Sequence, residues 1–470
     1  MKEILNMDAT ILSRELKKGT WDVEEVLRTY YHHIQKINPH LNAVVETRWD
    51  DALKEAREIK SQGLKGRLAG VPVSMKESFF VKGTVTSGGL PRHASAPRPC
   101  DAEVVRRLKK EGAIILTKTN TPSLCFCQET DNLLYGRTNN PWNLSRSCGG
   151  SSGGEGALIA AGGAAVGIGA DIGGSIRFPA HFNGVIGFKS GMNQVPDEGL
   201  FPKLAHPLQQ NMLGIGALSK SVADAQLIHE IIAGKPSPSQ NLSEYTLSVP
   251  DLCFFTPVNT TTRQLYDQIH SFLKQDFPID RTLPPHFSDS TQTWFWIMTF
   301  DGARSFLQQT EFDHIGQVFW DWLKSKTGLK PRYHHYLTWA LLAAEFLKPS
   351  PREWKDLLIR WKKTKMEVYD FLKQRILVLP VYHSPALKHG ELYRELFSIR
   401  KTIFKYLQFI TYANTYGLCS LTIPIGESEE HLPVAYQLVT IPGQEDALFR
   451  LGTELETRFR GYRRATHYDS

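Results

Sequence analysis

The segment Ser147–Lys189 reads SCGGSSGGEGALIAAGGAAVGIGADIGGSIRFPAHFNGVIGFK, with glycine far above the roughly 7% of ordinary proteins. It does not read as a linker. Gly/Ser linkers stay polar and repetitive, whereas Ala157–Ala161 and Ala164–Ile172 are apolar enough to be buried. Glycine inside buried chain marks backbone that passes close to something, or N–H groups left clear to face a ligand. Two serines stand in such settings: Ser151 within GGSSGG (Gly149–Gly154) and Ser175 within DIGGSIR (Asp171–Arg177). A serine hydroxyl attacks only when a base takes its proton. The glycines before Ser175 leave the N–H groups of Ile172, Gly173, Gly174 and Ser175 unobstructed, which is the material of an oxyanion hole. Asp171 and Arg177 flank that serine with opposite charges and are placed to pair and fix the loop.

Other readings of the glycines compete. A phosphate cradle calls for GxxxxGK[ST] or a full GxGxxG, and Gly167-Ile168-Gly169 lacks the third glycine. Residues 150–154 match the GxSxG elbow, but that elbow follows an apolar strand, and Asn139–Arg146 reads as loop. Close packing alone, with both serines as turn residues, is the remaining alternative.

Upstream of the segment, GRLAGVPVSMKES from Gly66 is a short apolar run, read as a strand that delivers Lys76 to its carboxyl end. Asp101 is expected to cap a helix to about Glu111, with Gly112 as its stop and Ala113–Thr117 as a buried strand. This alternation argues for a largely parallel sheet. Nearer the start, Asp8 and Thr20 are the expected caps of two helices over residues 8–38. A strand at Asn42–Thr47 and a helix at Trp49–Gln62 follow. Downstream, Ser221 caps a helix Val222–Ala233, residues 234–244 form an exposed connection, and a strand Leu247–Phe255 and helix Thr262–Phe277 come next. Aromatic residues from Trp294 to Phe346 crowd the part between Pro284 and Trp361. They suit either helix core or a lipophilic channel, since ligand pockets are mainly apolar. Strands at Ile376–Val381, Leu418–Pro424 and Val434–Thr440 and a helix from Gln444 to about Arg460 close the chain.

A lysine ending a strand, then GGSSGG, then DxGGS[IV]R is a pattern that resembles the amidase signature family. It stands here in order as Lys76, Ser151 and Ser175. The likeness runs over about residues 8–460 and is strongest to the fatty-acid amide hydrolases, type 2 especially. It is carried by Lys76-Glu77, Tyr135–Pro141, Gly149–Gly156, Asp171–Pro179, Val195–Pro202 and Leu432–Val439. Cys148 and Ser190 depart from it, each standing where proline is usual. The resemblance implies an α/β fold: one amidase domain over residues 1–470, built on a large mixed, twisted β-sheet with helices on both faces. The catalytic core would lie at about 66–234 and the substrate-pocket region at about 284–361. It implies an amidohydrolase acting on a small-molecule amide through an acyl-enzyme. Ser175 would be the nucleophile, Ser151, after a cis peptide bond, the relay, and Lys76, kept neutral by burial, the base. Ile172, Gly173 and Gly174 would serve the oxyanion and substrate, with Cys125 and Phe126 lining the acyl side. Ser152, Asp171 and Arg177 would support the loops. No metal and no cofactor are called for. Two alternatives stay open. A glutamine amidohydrolase component of a tRNA-dependent amidotransferase usually reads Lys-Asp-Asn where this chain has Lys76-Glu77-Ser78. The other is a non-catalytic binding protein on the same fold.

Composition sets the frame. Of the 470 residues 41% are hydrophobic and 22% charged, the proportions of an ordinary soluble globular protein. The net charge of +7 is small and spread out, which speaks against a nucleic-acid partner. The densest basic run, Arg360–Lys365, reads first as a solvated helix face, with a peripheral membrane contact left open. Six cysteines do not make a disulfide framework in a chain this long. Cys125 and Cys127 fit neither a CxxC redox pair nor a zinc knuckle. Free thiols in a reducing, cytoplasmic setting are the expectation. The first residues show no signal-peptide core, and no run approaches the roughly 18 apolar residues of a membrane span. A homodimer is compatible with all of this.

Overall fold

The computed structural model describes residues 2–252, 258–396, 404 and 406–469. Its strands, in chain order, are β1 (Val44–Thr47), β2 (Pro72–Lys76), β3 (Ile114–Thr119), β4 (Asn139–Asn140), β5 (Asn143–Ser147), β6 (Val166–Asp171) and β7 (Ile186–Lys189). Then come β8 (Gly214–Ser219), β9 (Thr246–Ser248), β10 (Ile279–Asp280), β11 (Arg375–Pro380), β12 (Cys419–Glu427) and β13 (Pro433–Thr440). Eleven of them form one mixed sheet in the order β1-β3-β2-β6-β8-β7-β12-β13-β11-β9-β10. Helices flank it. Those at Ala9–Lys17 and Val23–Leu41 bury Leu12, Leu16, Val26, Leu27, Tyr30 and Ile34 in one core. The helix Glu445–Arg458 buries Leu448, Leu451 and Leu455 with Leu421 and Leu438 in another.

β2, β3 and β6 are buried at every position, as expected of strands covered on both faces. β2 lies parallel to both β3 and β6, so the βαβ expectation holds here, with helix Glu103–Lys110 in the crossover. The sheet as a whole is not largely parallel. β6 pairs antiparallel with β8, β8 with β7, β7 with β12, and β12 with β13. Parallel neighbours need a crossover of a dozen or more residues, and the short link 428–432 between β12 and β13 allows only an antiparallel return.

Several local expectations need correction. The second helix is capped by Asp22, which accepts from Glu24 N at 2.9 Å, not by Thr20. Asp101 caps no helix; the helix starts at Glu103. The Asp101 carboxylate instead accepts from Lys82 N at 2.7 Å and Lys109 Nζ at 3.0 Å. Residues 139–147 hold the two-stranded ribbon β4–β5 rather than plain loop, although it is polar and lies outside the main sheet. Of the strand expected at Leu247–Phe255, Thr246–Ser248 is extended in the sheet, and residues 253–255 lie outside those described. The crowded aromatics divide three ways. Trp294 and Phe295 face a cavity, Tyr333 is core, and Phe319, Trp320 and Phe346 are exposed. Among the described residues no helix is long and apolar enough to cross a membrane. Cys100, Cys125, Cys127, Cys148 and Cys419 are free thiols.

Candidate active site

Parallel pairing sends β2 and β6 out of the sheet at the same end. Met75 stands beside Ile168, so Lys76, the last residue of β2, emerges next to the end of β6 at Asp171. Ligands in α/β sheets bind outside such carboxyl ends. A cavity of about 130 Å³ opens there. Its walls include Lys76, Ser151 and Ser175, together with Ser78, Cys125, Phe126, Gln128, Ile172 and Gly173. Its far side is apolar, with Phe201, Leu204, Trp294, Phe295, Met298 and Phe306.

Lys76 is 1% exposed and donates from Nζ to Ser151 Oγ at 2.6 Å. The Gly150–Ser151 peptide bond is cis. Ser151 is held from its other end, because its carbonyl accepts from Thr121 Oγ1 at 2.9 Å. The next N–H, of Ser152, donates to the Ser175 carbonyl at 3.1 Å, which ties the two serine loops together. Ser152 reaches the Ser175 loop through this backbone bond; its buried hydroxyl has no partner among the described residues. Helix Gly153–Ala160 follows at once and lies against the strand beneath. A Cβ on Gly154 would sit 2.5 Å from Asn120 N, so the glycine is required by close approach.

The Ser175 loop hangs on Asp171. Its carboxylate accepts from Gly174 N at 2.9 Å, Ile176 N at 3.1 Å, Arg177 Nε at 3.1 Å, Arg177 Nη2 at 3.0 Å and Asn414 Nδ2 at 2.9 Å. The expected Asp171–Arg177 pair is therefore present and fully buried. Gly174 needs correcting as an oxyanion donor, because its N–H is already taken by Asp171. That leaves the N–H groups of Ile172, Gly173 and Ser175. The φ of +94° at Gly174, with Phe178 Cδ2 within 2.6 Å of any Cβ there, makes glycine obligatory at that point of the turn. Cys125 and Phe126 are among the residues that line the cavity.

Buried charge surrounds the site. Burial alone would raise the Asp171 carboxyl, but the Arg177 guanidinium, with Lys189 and Asn414, holds it well below the ordinary carboxylate range. Burial pushes Lys189 down to about 8. Glu155, on the helix after Ser151, is raised by burial to about 8 against hydrogen bonds from Ser74 and Thr119 and the charge of Lys76. Glu155, Thr121, Gln128 and Asn414 are site residues that sequence reasoning passed over. Thr121, Gln128 and Asn414 stand in no motif, and Glu155, the charged residue inside GGSSGGEG, carries the one signal.

A profile of the amidase family matches residues 25–449. The chain belongs to the amidase family. It is a hydrolase of amide carbon–nitrogen bonds. This amidase is similar to fatty-acid amide hydrolase 2-B of Danio rerio, at 31% identity over 489 residues, which cover 98% of this chain and 90% of that protein. A glutamyl-tRNA(Gln) amidotransferase component from Carboxydothermus hydrogenoformans is 28% identical over 97% of both chains. Among solved structures, a crystal structure of amidase superposes with a TM-score of 0.79 at 26% identity, covering 97% of this chain and 100% of that one.

Proposed function

We propose that the amidase cleaves lipophilic carboxylic amides through an acyl-enzyme on Ser175. The observation that carries this reading is the 2.6 Å contact of buried Lys76 with Ser151 beside the Ser175 loop. Lys76 serves as the base: Ser151 passes its proton to the lysine while taking that of Ser175, and Ser175 Oγ attacks the substrate carbonyl. The developing oxyanion is received by N–H groups of the 172–175 loop, where losing one donor typically costs about 10²–10³ in rate. The proton returns through Ser151 to the leaving nitrogen, and water then releases the acid. Ser152, Asp171 and Arg177 hold the loops, and the chain acts as one unit over 1–470.

The apolar wall of Phe126, Trp294, Phe295, Met298 and Phe306 supports an acyl or aryl chain in the cavity. The likeness to an enzyme named for fatty-acid amides agrees with it. The amidotransferase reading has its own support in the 28% likeness. Against it, Glu77 is committed to structure. Its carboxylate accepts from Ser87 Oγ at 2.8 Å and Gly88 N at 2.8 Å, where the amidotransferase pattern has aspartate. The free cysteines support a reducing, cytoplasmic setting.

A panel of amides graded by acyl length, run on the isolated protein and on Ser175→Ala, tests the reading. Expected are kcat/KM values that climb with chain length and no turnover in the variant. Flat dependence or a preference for acetyl amides defeats the lipophilic channel. Residual turnover in Ser175→Ala defeats the nucleophile assignment, and glutamine hydrolysis alone, dependent on a partner, restores the amidotransferase.

A further inference from the structure

Resting on that reading of the site, we propose that Gln128 and Trp294 are positioning residues that clamp two successive carbonyls of the 172–174 loop and so aim the Gly173 N–H at the carbonyl under attack. The loop leaves β6 as Ile172-Gly173-Gly174, and two glycines in a row carry no stiffness of their own. Its orientation has to be imposed from outside. Trp294 Nε1, on helix Phe287–Thr299, donates to the Ile172 carbonyl at 2.7 Å. Gln128 Nε2 donates to the Gly173 carbonyl at 3.1 Å.

A peptide unit is planar and trans, so its C=O and N–H point in opposite directions. Holding the Ile172 oxygen therefore fixes the direction of the Gly173 N–H. The next unit is gripped at both ends, by Gln128 on its oxygen and by Asp171 on the Gly174 N–H. The indole also fills the space a side chain would need. A Cβ on Gly173 would lie 2.7 Å from Trp294 Cζ2. The ring is seated directly against the loop it holds.

Gln128 is a poor choice for stability alone. It is 8% exposed and its Oε1 is buried without a partner among the described residues. The orientation of the amide follows from the hydrogen bond, since a flip would set two acceptors against each other. An unpaired buried acceptor costs at least as much as a neutral hydrogen bond returns. A residue that brings such a loss to the edge of a reactive loop is explained by what its other end holds.

The test uses Trp294→Phe, which keeps an aromatic ring and removes the N–H, and Gln128→Met, which keeps length and removes the donor. Each is assayed for kcat, KM and the affinity of a trifluoromethyl ketone, whose adduct with a serine carries an oxyanion. A product-like carboxylic acid serves as the ground-state comparison. Expected is a fall in kcat of about tenfold in each variant, smaller than outright loss of a donor. Ketone affinity should weaken by a similar factor, with KM and acid affinity within about twofold in Gln128→Met, while Trp294→Phe, which also trims the cavity wall, should lose several-fold more in ketone affinity than in acid affinity. Residues that merely pack the cavity would move KM and acid affinity together with kcat, and that result overturns the clamp. So do variants that match wild type in kcat and ketone affinity. Turnover surviving in Ser175→Ala instead overturns the acyl-enzyme reading itself, and the clamp with it. The two variants lie on different segments, so misfolding of one leaves the other to decide.

Discussion

Removing the charge of Asp171 is the sharpest perturbation the site offers. Asp171 and Arg177 have no exposed side-chain surface. Five of the hydrogen bonds to the carboxylate, two of them from Arg177, lie between 2.9 and 3.1 Å. Hydrogen bonds to charged groups are worth about 1.5–3 kcal/mol each, but such terms do not add. The better guide is the cost of leaving one buried partner uncompensated, about 3–5 kcal/mol. Asp171→Asn should therefore lose about 3–5 kcal/mol in urea unfolding, a large share of the roughly 5–15 kcal/mol of a typical domain. Arg177→Met should lose at least as much. It also takes a donor from the Ile410 carbonyl, Gln437 Oε1 and Asn414 Oδ1, which accept from Arg177 at 3.0, 3.1 and 2.5 Å. The double variant should lose less than the two singles together by about 0.5–3 kcal/mol, the range of direct coupling. The pH dependence follows from the sign of the shift. The folded carboxyl is held below its ordinary value of 3.8, so its contribution is complete above the unfolded pKa and fades only as pH falls through the folded one. The Asp171→Asn deficit should thus be constant from about pH 5 to 6.5, below the range in which the neighbouring Lys189, pushed down to about 8, titrates. A deficit under about 1 kcal/mol, or singles that simply add, would refute the reasoning.

The buried Glu155 makes the opposite prediction. Its carboxyl is raised from 4.5 to about 8, so between those values the folded chain keeps a proton that the unfolded chain has released. Wild-type stability then falls as pH rises, by up to about 1.4 kcal/mol per pH unit. Glu155→Gln does not titrate, so its stability relative to wild type should improve from pH 5 to pH 8 in unfolding titrations; a constant difference contradicts the burial argument. Thiol chemistry gives a separate check, read by peptide mass spectrometry. Cys100 is exposed and should alkylate first. The buried thiols of Cys127, Cys148 and Cys419, pushed up by burial and in Cys148 to about 12, should stay unmodified in native protein, and Cys148 reacting as fast as Cys100 would count against the buried core.

The sequence made the parts of the site that chemistry forces into one short segment easy to find. Ser151, Ser175, Asp171 and Arg177 are close in the chain because loops so tight have to be built from neighbours, and Lys76 is announced by the apolar run before it. Strand positions were likewise readable wherever burial on both faces made the run apolar, as in β2 and β3. Pairing direction was not. Whether β8 runs with or against β6 depends on where the chain returns to the sheet, and residue periodicity is the same in both cases. The misplaced caps have a similar cause. Thr20 and Asp101 have the right side chains, but Asp22 stands closer to the apolar stripe it must start, and Lys82 and Lys109 compete for Asp101.

What stayed hidden is more instructive than what was found, because it shows where the rigidity of the glycine motif originates. Gln128 precedes the segment, Trp294 lies far beyond it, and Asn414 and Gln437 come from the last part of the chain, yet each bonds to residues 171–177. A loop rich in glycine can present N–H groups to an oxyanion only if something else supplies the order that glycine lacks. Here that order comes from side chains on separate elements, each tied to backbone or to the Asp171–Arg177 pair. The residues between 66 and 234 thus contain Lys76, Ser151 and Ser175 and part of what holds them, Asp171 and Gln128, but not Trp294, Asn414 and Gln437. The aromatic region and the β12–β13 end of the sheet supply the missing restraint. This places the apolar wall of the cavity and the 172–174 loop in one mechanical unit, since Trp294 belongs to both.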